Sequence, residues 1–175
     1  DLAEKKLVRL AKIIREMAVR HRSTVMIGRT NDQQALPITL GYKFAMWLDE
    51  LLRDLDRIRS CRPRILVRQF GGAVGTMHSL GEIGLSVRDG LMAELNIGVS
   101  PIAWYTSRDR YAEYTSILSI LCCTLGKLGN EVYIGQKTEV NELAEGFDPE
   151  KIGSSTMPHK RNPFVPAKLA GFGRM

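Results

Sequence analysis

Between residues 153 and 163 the chain reads Gly-Ser-Ser-Thr-Met-Pro-His-Lys-Arg-Asn-Pro. Within the nine positions 154–162 lie the hydroxyls of Ser154 and Ser155, the imidazole of His159, the cations Lys160 and Arg161 and the amide of Asn162. A Gly-Ser-Ser turn offers backbone N–H groups and hydroxyls to an anion, and Lys160 adds a compact positive charge. By composition alone a polar surface loop is an equally plain reading. From Thr138 the apolar period is lost and Gly146, Pro149, Gly153 and Pro158 enter, so 138–162 reads as a loop ahead of a last helix that opens near Pro163.

Other residues invite chemistry less strongly. His21 and His78 each stand alone near a helix end, where a structural role is the usual one. Gly71, Gly72 and Gly75 can cradle an anion, but a tight turn or close backbone packing explains such a run more simply. Arg108 and Arg110 flank Asp109, and a surface pairing with Asp109 or Glu113 is open to both. Cys61, Cys122 and Cys123 are odd in number and suggest neither a disulfide framework nor a metal knuckle. They are read as reduced, buried thiols.

The elements that must position these groups are helical. Leu7, Leu10, Ile13, Ile14, Met17 and Ala18 recur three and four apart and mark an amphipathic helix from Asp1 to about His21. It opens in mid-helix without a cap, so residues upstream of it are expected. Residues 23–39 lack a helical period, carry Gly28 and Pro37, and read as an ordered loop. Leu40–Arg59 is helical, with Phe44, Trp47, Leu48, Leu51, Leu52, Leu55 and Ile58 on one face. Pro63 and the glycine run break regular structure from Cys61 to Thr76, and another helix spans about 80–95. Tyr111, Tyr114, Leu118, Leu121, Leu125, Leu128 and Val132 define the clearest helix, with Thr106 and Asp109 as a capping box and a pattern reaching Leu143. At 1.5 Å per residue it would be about 50 Å long. Ile117, Ile120, Cys122 and Tyr133 lie off its main stripe, so more than one face needs cover. Tyr111 and Tyr114 read as core. No strand-rich region is evident, and the fold expected is all-α, an elongated bundle.

With 175 residues, 44% of them apolar and 25% charged, the chain is long enough to bury a core and too mixed to be disordered. Its formal charge of +6 is spread among acids rather than gathered in a block, which favours a small polyanionic ligand no less than nucleic acid. No run of about 18 uninterrupted apolar residues is present and the charged start does not resemble a signal peptide, so a cytoplasmic setting with neither membrane nor nucleic-acid partner is expected.

The eleven-residue run 153–163 resembles the signature of the fumarase/aspartase superfamily, which carries Gly-Ser-Ser, Met-Pro, Lys and Asn-Pro at these spacings. Gly28-Arg29-Thr30 with Gln33 and Pro37, and Gly72-Ala73-Val74-Gly75-Thr76, are similar to two further family stretches. Gln34-Ala35-Leu36-Pro37, Gln69-Phe70-Gly71-Gly72 and Trp104-Tyr105-Thr106-Ser107-Arg108-Asp109-Arg110 most resemble the branch containing 3-carboxy-cis,cis-muconate cycloisomerase, with adenylosuccinate lyase as neighbour.

The resemblance implies a cofactor-independent lyase or cycloisomerase that moves a proton next to a carboxylate of a small polycarboxylate, without metal. It implies Ser154 as general base in elimination and general acid in addition, with Lys160 and Asn162 holding the substrate carboxylate and the developing charge. A serine hydroxyl is ordinarily too weak a base, and the family's remedy is a loop that serves as lid and catalyst, excluding water and aiming amide dipoles and Lys160 at the oxygen. Thr30, Asn31, Gln33, Ser155, Met157, His159, Arg108 and Arg110 are carried over as substrate-binding positions. Many members have histidine where this chain has Asn31; asparagine exchanges no proton near neutral pH, which favours the cycloisomerase branch over adenylosuccinate lyase. Asn31 either bonds the substrate or holds its loop. The resemblance further implies that residues 1–175 form the central helical-bundle domain of a longer chain, assembled as a homotetramer whose subunits share active sites. The isolated fragment is then inactive. A fumarate-releasing C–N lyase and a non-catalytic structural homologue are the competing readings.

Overall fold

The computed structural model describes residues 2–146, 154, 156–157 and 159–174. In chain order these form α1 (Leu2–Arg20), β1 (Val25–Thr30), β2 (Gln33–Thr39), α2 (Leu40–Ile65), β3 (Val67–Arg68), α3 (Gly84–Glu94), β4 (Gly98–Val99), α4 (Asp109–Gly135) and α5 (Phe164–Phe172), with a 3-10 turn at Gly81–Ile83 before α3. Two compact units result. One comprises residues 1–55 and 118–175, the other residues 56–117.

In the first unit α1 buries Leu7, Ala11 and Ile14, while Ile13 is exposed. Its first turn holds Glu4 and its last turn Arg20, the arrangement that suits the helix dipole. Thr39 starts α2 by accepting the Tyr42 N–H at 3.1 Å on its side-chain oxygen, an N-cap hydrogen bond. Within this unit α2 buries Phe44, Trp47, Leu51 and Leu55, with Phe44 and Trp47 meeting edge to face at 5.2 Å between centroids. Ion pairs Lys43–Glu131 (2.5 Å) and Lys127–Glu50 join α2 to α4. His21 bonds Thr24 and lies against Phe44, the structural role expected of it.

Residues 23–39 are not an irregular loop. They form an antiparallel hairpin in register from Val25↔Thr39 to Thr30↔Gln33, with an irregularity between Ile27 and Arg29. Asn31 and Asp32 make its two-residue turn, both with positive φ (50° and 59°), the backbone of a type I′ turn, and Asn and Asp tolerate that region best after glycine. A Cβ on Gly28 would come within 2.9 Å of the Leu36 carbonyl oxygen, so the bulge admits only glycine. Pro37 sits in β2 without penalty because a two-stranded sheet consists of edges.

In the second unit α2 continues to Ile65 through Pro63, six residues past the end expected from sequence; the Leu66 N–H closes on the Arg62 carbonyl at 2.8 Å. Proline in the last turn interrupts one bond and leaves the helix otherwise intact. Ile58, Cys61 and Met92 are buried here. Positive φ at Gly72 (72°) and Gly75 (89°) supports the tight-turn reading of the glycine run, and the Tyr105 hydroxyl donates to the Gly72 carbonyl. The two-residue parallel pair β3/β4 is a further strand feature that the sequence did not suggest.

The long helix is shorter than its stripe. α4 has 27 residues, about 40 Å, and ends at Gly135 rather than near Leu143. Leu143 keeps the apolar spacing without being helical: it packs back over Gly135, whose carbonyl accepts the Glu142 (2.9 Å) and Leu143 (3.2 Å) N–H groups. The helix opens after Arg108, so Thr106 lies too far upstream to be its cap. Ile120, Tyr133, Tyr111 and Tyr114 are exposed, and so are Cys122 and Cys123; only Cys61 is a buried thiol. By length and hydropathy alone α4 would pass as a membrane span, a test that the central helix of a bundle passes as well. α5 begins after Pro163, as expected, and packs on α4 where Gly126 and Gly129 face Gly173, Leu169 and Pro166 with no room for a Cβ.

Candidate active site

The signature run is described at Ser154, Thr156, Met157 and 159–163; Gly153, Ser155 and Pro158 lie outside the described residues. Ser154 is half-buried, and its hydroxyl oxygen accepts the backbone N–H groups of Met157 (3.2 Å) and Thr156 (3.4 Å). Two amide dipoles directed at one oxygen favour negative charge on it, the electrostatic condition for a serine that takes up a proton. The turn closes with the Lys160 N–H on the Met157 carbonyl at 3.0 Å. Lys160, His159 and Met157 are exposed and Asn162 is half-buried.

Thr30, Asn31 and Gln33 stand at the tip of the hairpin, all exposed, with Thr30 and Gln33 paired across the turn. The positive φ at Asn31 gives that residue a conformational task at the turn.

Arg29 fixes the hairpin to the segment after α4. Its guanidinium makes two parallel hydrogen bonds, Nη1 to Glu142 Oε2 (2.7 Å) and Nη2 to Glu142 Oε1 (2.9 Å). This bidentate bond, opposed by partial burial, holds the Glu142 carboxyl below the usual carboxylate range and raises the Arg29 guanidinium; Lys43 adds to the effect on Glu142. A depressed folded-state value means that the pair stabilises at pH above the unfolded Glu value, about 4.3, and that this contribution is lost as pH falls through the lower folded value. The melting-temperature difference between the parent and Glu142→Gln is therefore expected to be constant from neutral pH to about pH 5 and to close below about pH 4. A difference that persists unchanged at pH 3 would assign the stability to something other than the ion pair.

In the second unit Arg108 donates to the Tyr105 (2.9 Å) and Ser107 (2.8 Å) carbonyls, folding back on its own backbone. Arg110 lies over the Trp104 ring at 5.1 Å and donates to the Arg64 carbonyl at 3.1 Å. Glu113 is bound by Arg64, which draws its carboxyl down. Among the described residues no three His, Cys, Asp or Glu side chains converge as a metal site requires.

The sequence reading passed over Gln136, Glu142 and Glu145 because it followed the apolar stripe of the long helix to Leu143 and looked for chemistry in the loop from Thr138 only at its glycines, prolines and signature run. Gly135, the residue at which that helix stops, was the signal available.

A sequence profile described as lyase matches residues 2–174. The chain is 46% identical over 157 residues to N-acetyl-S-(2-succino)cysteine lyase of Dickeya dadantii (strain 3937), covering 90% of this chain and 35% of that protein. It is 42% identical over 179 residues to adenylosuccinate lyase of Methanocaldococcus jannaschii, covering 100% of this chain and 38% of the other. The crystal structure of 3-carboxy-cis,cis-muconate lactonizing enzyme from Pseudomonas putida superposes with a TM-score of 0.92 at 41% identity, over 99% of this chain and 39% of that one. The chain thus spans between 35% and 39% of the length of these relatives.

Proposed function

Since the chain belongs to the fumarase/aspartase family of lyases, we propose that it supplies the proton-transfer apparatus of an enzyme acting on a small polycarboxylate, with 3-carboxy-cis,cis-muconate as substrate. The observation that carries this reading is the pair of backbone N–H groups on the Ser154 oxygen.

In lactone formation the substrate's own carboxylate oxygen adds to one alkene carbon, and the neighbouring carbon, α to a second carboxylate, takes a proton. Ser154 delivers it. In the reverse direction the serine oxygen removes that proton as the C–O bond breaks, and the electron pair passes through a carbanion spread into the adjacent carboxylate. Lys160 and Asn162 hold that carboxylate as its charge grows. Thr30, Asn31 and Gln33 contact the substrate from the hairpin, and Asn31, held in the turn, exchanges no proton. Closure of the lactone by an attached carboxylate needs little proton help at the oxygen, which agrees with asparagine at this position. The working enzyme is a homotetramer in which the exposed apolar faces of α4 are covered by other copies.

A fumarate-releasing elimination is the second reading, favoured by the 46% identity to the succinocysteine lyase. The same proton abstraction would then expel sulfur or nitrogen. The intact protein, assayed by ultraviolet absorbance against 3-carboxy-cis,cis-muconate, N-acetyl-S-(2-succino)cysteine and adenylosuccinate, is expected to consume the muconate fastest. Faster release of fumarate from either of the others would replace the first reading with the second.

A further inference from the structure

The end of α4 is followed by side chains that bond backbone inside the signature run and just past it. Gln136 Oε1 accepts the Glu145 N–H at 2.7 Å, and Gln136 Nε2 donates to the Arg161 carbonyl at 3.2 Å. Glu145 in turn accepts the Val165 N–H at 3.2 Å through Oε2, at the opening of α5. One primary amide therefore joins Glu145 to the peptide between Arg161 and Asn162. The Arg161 carbonyl lies between Lys160 and Asn162 in the backbone, so its placement sets where both side chains start.

Few residues can do this. The amide of Gln136 offers an acceptor and a donor at opposite corners of one plane, and both are used. A carboxylate there would keep the acceptor for Glu145 and lose the donor for Arg161. Its base is well fixed: Gly135 is buried and its carbonyl already accepts two N–H groups from the returning chain.

We propose that Gln136, supported by Glu145, is a positioning residue for the reaction, a clasp that holds Lys160 and Asn162 at the separation the substrate carboxylate requires. This rests on the reading of Lys160 and Asn162 as carboxylate ligands. A displacement of about 1 Å at such ligands costs up to about a hundredfold in rate.

The test uses the intact protein with Gln136→Ala, Gln136→Glu and, as reference, Lys160→Ala. Steady-state kinetics on the substrate that the protein turns over and amide hydrogen exchange at Glu145 are measured together. Gln136→Ala and Gln136→Glu are both expected to raise KM by about tenfold and to lower kcat, because carboxylate ligands move. Loss of folded protein alone would lower apparent kcat and leave KM in place. Exchange at Glu145 is expected to accelerate in Gln136→Ala and to stay near the parent rate in Gln136→Glu, which retains the acceptor. KM within about twofold of the parent in both variants while Lys160→Ala raises it would overturn the clasp and leave the site reading standing. If Lys160→Ala leaves KM unchanged, the site reading fails, and the clasp as a positioning device fails with it. Unaltered exchange in Gln136→Ala overturns the clasp without any substrate.

Discussion

Replacing Ser154 with alanine in the intact protein is expected to lower turnover by about a thousandfold while the melting temperature stays within a few degrees of the parent. Under the proposed function the rate loss follows from removal of the atom that carries the proton, and general acid–base groups contribute about 10²–10⁴ in rate. The small stability change follows from the bonds involved. Ser154 is half-buried and its oxygen accepts two long hydrogen bonds, from the Met157 and Thr156 N–H groups, and loss of such bonds near solvent costs about 1 kcal/mol or less. Measuring kcat and the circular-dichroism melt on the same preparation separates the two effects. A loss of less than about tenfold in kcat, with the fold intact, would remove Ser154 from the chemistry.

Gly129→Ala is the second large effect, and it concerns stability first. A Cβ at residue 129 would stand 2.6 Å from the Leu169 Cβ, 2.8 Å from the Pro166 carbonyl oxygen and 3.0 Å from the Ala170 nitrogen. Two of these three atoms are backbone, so no rotamer relieves the overlap and α5 must move off α4. Overpacking of this kind costs about 1–3 kcal/mol, which with backbone atoms in the overlap exceeds the helix-propensity gain of about 1 kcal/mol that alanine brings over glycine. Gly171→Ala, in α5, is the internal control, because a Cβ there meets nothing within 4 Å beyond its own helix backbone. Differential scanning calorimetry is expected to show a lower melting temperature for Gly129→Ala and an equal or higher one for Gly171→Ala. Equal shifts in the two variants would mean that the contact between the helices carries no weight.

The helices were legible because burial imposes a period. Leu7, Ala11 and Ile14, or Phe44, Trp47, Leu51, Leu55 and Ile58, are buried at the spacing a helix requires, and all but Ala11 lay on the stripes read from sequence. The hairpin was not legible for the complementary reason. Val25 and Leu36 are 74% and 76% exposed, so no buried face forces alternation on its strands, and Gly28 and Pro37 mimic a loop. Its one local signal, a two-residue Asn31-Asp32 turn, is weaker than the Asn-Gly pairs that announce such turns. Leu143 misled differently. It continues the apolar stripe of α4, yet meets Gly135 from outside the helix, because burial constrains which side chains approach and not the route by which the backbone brings them.

The candidate site was legible where chemistry demands unusual neighbours. Ser154, Lys160 and Asn162 stand out as types packed into a short run with glycine and proline. Gln136, Glu142 and Glu145 did not, since their contribution is a set of bonds to backbone and to one arginine that no spacing encodes. The tyrosines and cysteines of α4 were misjudged because a stripe of apolar residues reports that a face will be covered, and within one chain Tyr111, Tyr114, Cys122 and Cys123 are uncovered.

At Gly126 and Gly173 backbone meets backbone: a Cβ on the first would lie 2.5 Å from the Cα of the second, and one on the second 3.0 Å from the Cys122 carbonyl oxygen. Side chains between helices act as springs, since each rotamer change alters the gap they fill. Here there is no spring. The distance from the axis of α4 to the end of α5 is set by the thickness of two polypeptide backbones, and in the first turn of α5, toward Asn162, the Pro166 carbonyl oxygen lies 2.8 Å from where a Cβ on Gly129 would stand. Under the proposed function, a substrate carboxylate that Asn162 must meet at fixed reach is thereby given a rigid ruler, and drift in the sequence elsewhere can proceed without recalibrating it.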